Sequence, residues 1–339
     1  MQAMINKTPY KNLSPEVILD AVESVGYRCD GRLLALNSFE NRVYQIGLNS
    51  GESVVSKFYR NDRWSLDHIL EEHEFALELT ELEIPVVAPL VSKTGQSLHH
   101  WNGFRFAIYP RCGGRAPDLE NLDHLQRLGV ALGRIHAVGA THPFISRPTL
   151  NVETFGVEPY RFLTHSTVIP QELRTQYNTL VHELLVQIRH CFERAEPFQS
   201  IRLHGDCHSG NILWSESGPL FVDFDDARMG PAIQDLWMCL SGERDEQELQ
   251  LSAILKGYLQ FYHFNAREIH LIEALRTLRM IHYAAWIARR WDDPAFPRAF
   301  PWFDAPRYWD NHILSLREQL TLMNEPPLEW NPHAYMGAY

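Results

Sequence analysis

The sequence predicts an α+β chain in two parts, a small β-rich N-terminal part and a larger, mainly helical C-terminal part. Three observations predict it. Runs rich in Val, Ile, Phe and Tyr surround a glycine turn between Leu33 and Arg60. Apolar residues recur at helical spacing in several segments beyond Leu122. Between these regimes a strand runs into the connector Pro110-Arg111-Cys112-Gly113-Gly114, whose Pro and Gly content marks a boundary. The parts are therefore expected at 1–111 and 112–339.

Taken in order, Leu34-Ala35-Leu36 precedes the polar turn Asn37-Ser38-Phe39-Glu40-Asn41. Val43 to Ile46 and Ser53 to Tyr59 then flank a turn at Asn49-Ser50-Gly51, the pattern of a hairpin. From Leu66 to about Glu83 the period becomes helical, with Ile69, Ala76 and Leu79 on one face, and Pro85 and Pro89 end it. Phe104 to Tyr109 alternates like a strand. Leu122, Leu125, Leu128, Leu132 and Ile135 outline an amphipathic helix, in which Gly129 and Gly133 would admit another backbone closely. A polar helical excursion is expected at about 159–196, and further helices near Gln247–Phe264, Glu268–Arg290 and Arg307–Met323. Pro294, Pro297, Pro301 and Pro306 punctuate an aromatic-rich loop before the last of these.

Composition narrows the function. The chain has 339 residues, 45% hydrophobic and 22% charged, so a large core is within reach. A net charge of −11 argues against nucleic-acid binding, which needs a broad basic face, although a few local cations suffice for a phosphate. Cys29, Cys112, Cys191, Cys207 and Cys239 form no CxxC pair, so neither a disulfide framework nor a structural zinc site is expected. Met1 to Asn12 lacks the apolar stretch of a signal peptide, and the longest apolar run, Ile84 to Val91, holds two prolines. A reduced, cytoplasmic setting with no membrane partner is the expectation.

The chemistry concentrates in Leu203-His204-Gly205-Asp206-Cys207-His208-Ser209-Gly210-Asn211-Ile212-Leu213-Trp214, followed by Leu220-Phe221-Val222-Asp223-Phe224-Asp225-Asp226. Phosphoryl transfer needs a carboxylate to take or orient the proton of the attacking hydroxyl, and oxygen ligands to hold Mg²⁺ on the phosphates. Mg²⁺ keeps several waters, so one amide and one carboxylate are adequate protein ligands. Asp206 and Asn211 lie five residues apart on a turn, and an apolar strand pair then delivers Asp223 at its far end.

His-Gly-Asp-x-x-x-x-Asn followed by Val-Asp-x-Asp resembles the catalytic and metal loops of the aminoglycoside-phosphotransferase and choline-kinase-like group. It is similar to the His-Arg-Asp…Asn and Asp-Phe-Gly pair of protein kinases. The wider set Asn37 to Tyr44, Val55 to Arg60, His204 to Trp214, Asp223 to Arg228 and Arg289 to Pro297 resembles the bacterial stress-response Ser/Thr kinases, over nearly the whole chain. That resemblance implies a bilobal, protein-kinase-like fold, ATP as co-substrate with Mg²⁺, a protein acceptor, a monomer and a role in stress response. It implies Asp206 as proton acceptor, Asn211 and Asp223 as Mg²⁺ ligands, Lys57 on the α/β-phosphates and Ser38 in the loop over the nucleotide. A helix carboxylate should pair with Lys57. Glu72 is the first choice because it shares the inward face of Ile69 and Ala76, with Glu71 and Glu74 as alternatives. The chain departs from the protein-kinase pattern in lacking a G-x-G-x-x-G loop, in having Asp225 after Asp223-Phe224, and in having no Ala-Pro-Glu.

Other readings stand beside these. His204 and His208 flank Asp206 as zinc ligands would, but the spacing suits a structural His204 better. Cys207 is read as a packed, inert thiol, and the aromatics from Trp286 to Phe303 as packing. Asp225 and Asp226 are open between metal or substrate contacts and capping. Two rival functions remain, a small-molecule kinase (amino alcohol, sugar or aminoglycoside) and a nucleotide-binding interaction module. The first would show as turnover of small alcohols but not of protein, the second as no transfer at all.

Overall fold

Residues 8–330 are described by a computed structural model. They form two compact units. The first takes in the chain up to Arg115 together with Ile212–Asp225 and Asp293–Ala295. The second comprises Ala116–Asn211, Asp226–Asp292 and the chain from Phe296 onward.

In the first unit, helix α1 (Pro15–Ser24) precedes an antiparallel sheet of β1 (Cys29–Ala35), β2 (Arg42–Leu48), β3 (Ser53–Tyr59), β4 (His99–Trp101) and β5 (Phe104–Pro110). The strand order is β1-β2-β3-β5-β4. Gly51, at φ +90°, closes the expected β2–β3 hairpin, a backbone state that costs glycine little. One sheet face packs Ile46, Val54, Phe58, Phe106 and Ile108 on Ile18, Ala21 and Val22 of α1. Helix α1 is not among the expected elements, although Ile18, Ala21 and Val22 recur at helical spacing. Its other signals are at its start, where Ser14 accepts from Val17 N at 3.4 Å and Pro15 supplies a preset φ.

Helix α2 (Leu66–Glu81) follows β3 and buries Ile69, Phe75, Ala76 and Leu79. The same buried face carries Glu72 and His73, so a carboxylate is drawn into the interior by the helix period itself. A second hairpin, Ile212–Ser215 with Gly218–Phe221, belongs to this unit although it is far away in sequence. It is fastened through the backbone: Phe221 N donates to Pro85 O and Val87 N to Phe221 O, while Arg115 and Trp214 exchange both hydrogen bonds.

The second unit is built from α3 (Leu122–Gly139), α4 (Glu158–His165), α5 (Gln171–Ala195), α6 (Ile233–Trp237), α7 (Arg244–Tyr258), α8 (Ile272–Ala288) and a last helix, Pro306–Leu322. Helices α4 and α5 make up the helical excursion expected near 159–196. The α3 glycines have the expected use, and α7 is the element they admit. A Cβ at Gly129 would stand 1.9 Å from Ile254 O, one at Gly133 2.5 Å from Tyr258 O, and one at Gly257 2.0 Å from Gln126 O. A short strand pair, Ile201–Leu203 with Arg228–Gly230, frames the loop between them. Among the described residues, no helix is long and apolar enough to cross a membrane.

Candidate active site

In the second unit the strand Ile201–Leu203 delivers His204, and the chain turns at Gly205 with φ +85°. A Cβ at Gly205 would lie 2.2 Å from Asp226 O, so the turn tolerates only glycine. The loop hangs from Asp235 of α6. Its buried carboxylate accepts from His204 N and Gly205 N, both at 2.8 Å, and meets His136 Nε2 at 3.2 Å. Burial alone would raise this carboxyl. The hydrogen bond and charge of His136, with His204 and the Gly205 amide, outweigh that and hold it below its ordinary range. His136 is oriented in turn by Tyr258 OH, 2.7 Å from its Nδ1. One more buried carboxylate supports α6: Glu268 Oε2 accepts from Ile233 N at 3.0 Å. Burial pushes the Glu268 carboxyl up to about 7, against the lowering effect of the Ile233 and Ala232 amides.

The loop then presents Asp206, with its side chain 21% exposed. Asp206 Oδ1 is 2.5 Å from Arg279 Nη1 of α8, and Oδ2 is 3.5 Å from His208 Nε2. His204 is fully buried, and its Nδ1 accepts from Asp206 N at 3.3 Å, which fits the structural role expected of it. The 3₁₀ turn Ser209–Asn211 folds Asn211 back, and its Nδ2 donates to Asp206 O at 2.9 Å. Cys207 is buried, and its hydrogen bond with Cys239, together with burial, raises the thiol well above its ordinary value, so it stays protonated.

In the first unit, Lys57 of β3 is buried among carboxylates. Its Nζ lies 2.9 Å from Asp223 Oδ1, 3.0 Å from Asp225 Oδ1 and 3.4 Å from Glu72 Oε1. Burial would lower the ammonium, but Asp223, Asp225 and Glu72 outweigh it and push it well above its ordinary value. Of the three candidate glutamates on α2, Glu72 is the one that meets Lys57, while Glu74 is exposed. Arg63 pairs with Asp225 at 2.7 Å, and Arg60 with Asp293 at 3.0 Å, which gives the late Asp293 segment a place. Through these contacts and those of Glu40 and Asp62, six carboxylates share three cations with no link longer than 3.9 Å. Asp223 follows the hairpin with φ +62°, strained for any residue with a Cβ, and its side chain is 51% exposed.

Taken singly, the two residues expected to bind magnesium each offer a hard oxygen. Asn211 spends its amide nitrogen on Asp206 O, which leaves the amide oxygen as a hard ligand. Asp223 offers an exposed carboxylate in a cluster with surplus negative charge. Among the described residues no three His, Cys, Asp or Glu side chains are grouped to cage a metal.

The predicted residues thus fall into two sets. Lys57, Glu72 and Asp223 are together in the first unit, and Asp206 and Asn211 in the second. Ser38 is half-buried in the turn between β1 and β2, and its side chain makes no hydrogen bond among the described residues. Asp235, Glu268 and Arg279 belong to no motif. For Asp235 a signal exists in retrospect: an acid inside the run Ile233-Gln234-Asp235-Leu236-Trp237 must be hydrogen-bonded if that run is buried.

Known proteins share the sequence and the fold of this chain. The phosphotransferase enzyme family matches residues 32–272. Stress response kinase A of Escherichia coli (strain K12) is 45% identical over 323 residues, 95% of this chain and 97% of the relative. Serine/threonine protein kinase RdoA of Salmonella typhimurium (strain LT2) is 44% identical over 327 residues, 96% of this chain and 98% of the relative. Among solved structures, amicoumacin kinase hAmiN, in complex with AMP-PNP, Ca²⁺ and Ami, superposes with a TM-score of 0.73 at 19% identity. That match covers 94% of this chain and 96% of the other.

Proposed function

The chain belongs to the phosphotransferase enzyme family, and from that premise we propose that it is an ATP- and Mg²⁺-dependent kinase acting on Ser and Thr hydroxyls of proteins. Kinase activity as such follows from the family and from relatives 45% identical over 95% of the chain. The observation that carries the nucleotide assignment is Lys57, buried and held by Glu72, Asp223 and Asp225. A buried ammonium with surplus carboxylates can exchange Asp223 for phosphate oxygens without losing all of its partners. The protein acceptor is supported by the name of the Salmonella relative.

In this reading the acceptor oxygen attacks the γ-phosphorus and its proton passes to Asp206. The new O–P bond forms as the bond to the β–γ bridging oxygen breaks, and ADP leaves. Mg²⁺, when bound, neutralises charge developing on the phosphates, and Asn211 and Asp223 are the residues that would hold it. Ser38 is kept as a nucleotide-loop residue.

The test is incubation with labelled ATP and Mg²⁺, comparing autophosphorylation, a generic protein acceptor, and a panel of small alcohols including choline and an aminoglycoside. Label is expected in protein and not in the alcohols, and transfer in Asp206→Ala should fall by roughly 10²–10⁴-fold. Turnover of an alcohol with none of protein would replace the proposed acceptor with a small molecule. Undiminished transfer by Asp206→Ala would remove the proton role from Asp206.

A further inference from the structure

The two oxygens of Asp206 are not equivalent. Oδ1 is engaged by Arg279 at 2.5 Å, whereas Oδ2 has, among the described residues, only His208 at 3.5 Å. A hydroxyl proton is therefore most accessible to Oδ2. Because both oxygens belong to one carboxylate, an acceptor bound there has its neighbouring atoms within a few ångströms of the Arg279 guanidinium.

Arg279 is not needed to hold the loop. Asp235, His204 and Asn211 already fix its backbone on both sides of Asp206. Among the described residues Asp206 is the only hydrogen-bond or ion-pair partner of Arg279, and the arginine side chain is 40% exposed. A guanidinium carries five N–H donors in a rigid fork, so most of them remain available for a group bound beside Asp206. Such a fork matches a carboxylate or a phosphate, and it repels an ammonium at the same place. One turn further along α8, Tyr283 is 39% exposed and stacks on Trp286, offering an aromatic surface beside the cation for chain adjoining the anion.

We infer that Arg279 is a specificity-determining residue that selects acceptors whose hydroxyl is flanked by an anionic group, a carboxylate or a phosphate. This rests on Asp206 facing the acceptor, as in the reading above. It makes the acceptor chemistry of this chain opposite to that of a kinase for cationic alcohols.

The experiment uses the full chain and a set of serine peptides that differ only beside the serine, which is flanked by Asp, phosphoserine, Ala or Lys. Glycerate and choline serve as small acceptors of opposite charge. The wild type should favour the Asp-flanked over the Lys-flanked peptide by about tenfold or more in kcat/KM, the scale of one charge-assisted hydrogen bond. The phosphoserine arm tells which anion is preferred. Arg279→Gln should flatten the ratio to about twofold, Arg279→Lys should keep part of it, and Arg279→Glu should invert it. Melting curves of the three variants separate this from misfolding, since a ratio between two peptides is measured on the same folded molecules. If no peptide is used but glycerate is, and Arg279→Gln loses it, the inference stands while the protein-acceptor reading falls. Equal use of Asp- and Lys-flanked peptides by the wild type, retained acid preference in Arg279→Glu, choline used better than glycerate, or no transfer to any acceptor would each overturn it.

Discussion

The loop around Asp206 and the cluster around Lys57 are held by opposite means. The loop is suspended by its backbone: two successive amides, of His204 and Gly205, converge on one buried carboxylate, Asp235, which is itself held by His136. In the cluster side-chain charges meet instead, with Lys57 facing three carboxylates and Asp223 half exposed. Backbone suspension fixes position, because every hydrogen bond lost leaves a buried donor without a partner. A surplus of carboxylates around few cations fixes composition instead, and in the proposed function it lets partners be exchanged when phosphates and a metal arrive. Groups that must be placed and groups that must be handed over are thus built differently.

The largest test of this contrast is Asp235→Ala. It strands two buried amides and a buried imidazole, so it should cost about 3–5 kcal/mol of unfolding free energy in urea titrations. A loss below about 1 kcal/mol would show that the loop does not hang from α6.

Glu268 supports the same helix more weakly, and pH exposes it. Its carboxyl titrates near 7 when folded, against 4.5 when free. Between those values the folded state keeps a proton that the unfolded state releases, so the contribution of Glu268 to stability is greatest below pH 4.5 and falls as pH rises to 7. The fall should be on the order of 1–3 kcal/mol. Glu268→Gln cannot ionise and should flatten that slope; a slope unchanged from wild type would mean that Glu268 is not its source.

The smallest effect on folding belongs to Glu72→Gln. Lys57 retains Asp223 and Asp225, so no buried charge is left unpaired and stability should change by less than about 1 kcal/mol. Yet Lys57 would then be drawn toward Asp223 and Asp225, away from Glu72, and kcat/KM for ATP should drop about tenfold. If Glu72→Gln instead destabilised the chain as strongly as Asp235→Ala, the two regions would not differ in the way described.

Legibility follows the same division. Asp206, Asn211 and Asp223 stand in fixed local spacing, and the 3₁₀ turn and hairpin between them are short-range structures, so the chemistry proposed for them rests on a local pattern. Glu72 was legible because helix periodicity puts it on the face of Ile69 and Ala76, although periodicity could not say what it would face. Asp235, Glu268 and Arg279 were not legible. Each acts on a residue roughly 30 to 70 positions away, through a contact that no local pattern encodes.

The sequence by itself determined the β-rich and helical regimes, the close approach allowed by Gly129 and Gly133, and the set of groups able to carry phosphoryl transfer. These rest on periodicity, glycine chemistry and residue type, all of them local properties. Only the tertiary structure decided that the hairpin Ile212–Phe221 is fastened to Pro85, Val87 and Arg115, that Asp235 carries the Gly205 turn, and that Arg279 stands on Asp206. Those pairings join distant segments, and burial and hydrogen-bond satisfaction across the whole fold choose among them.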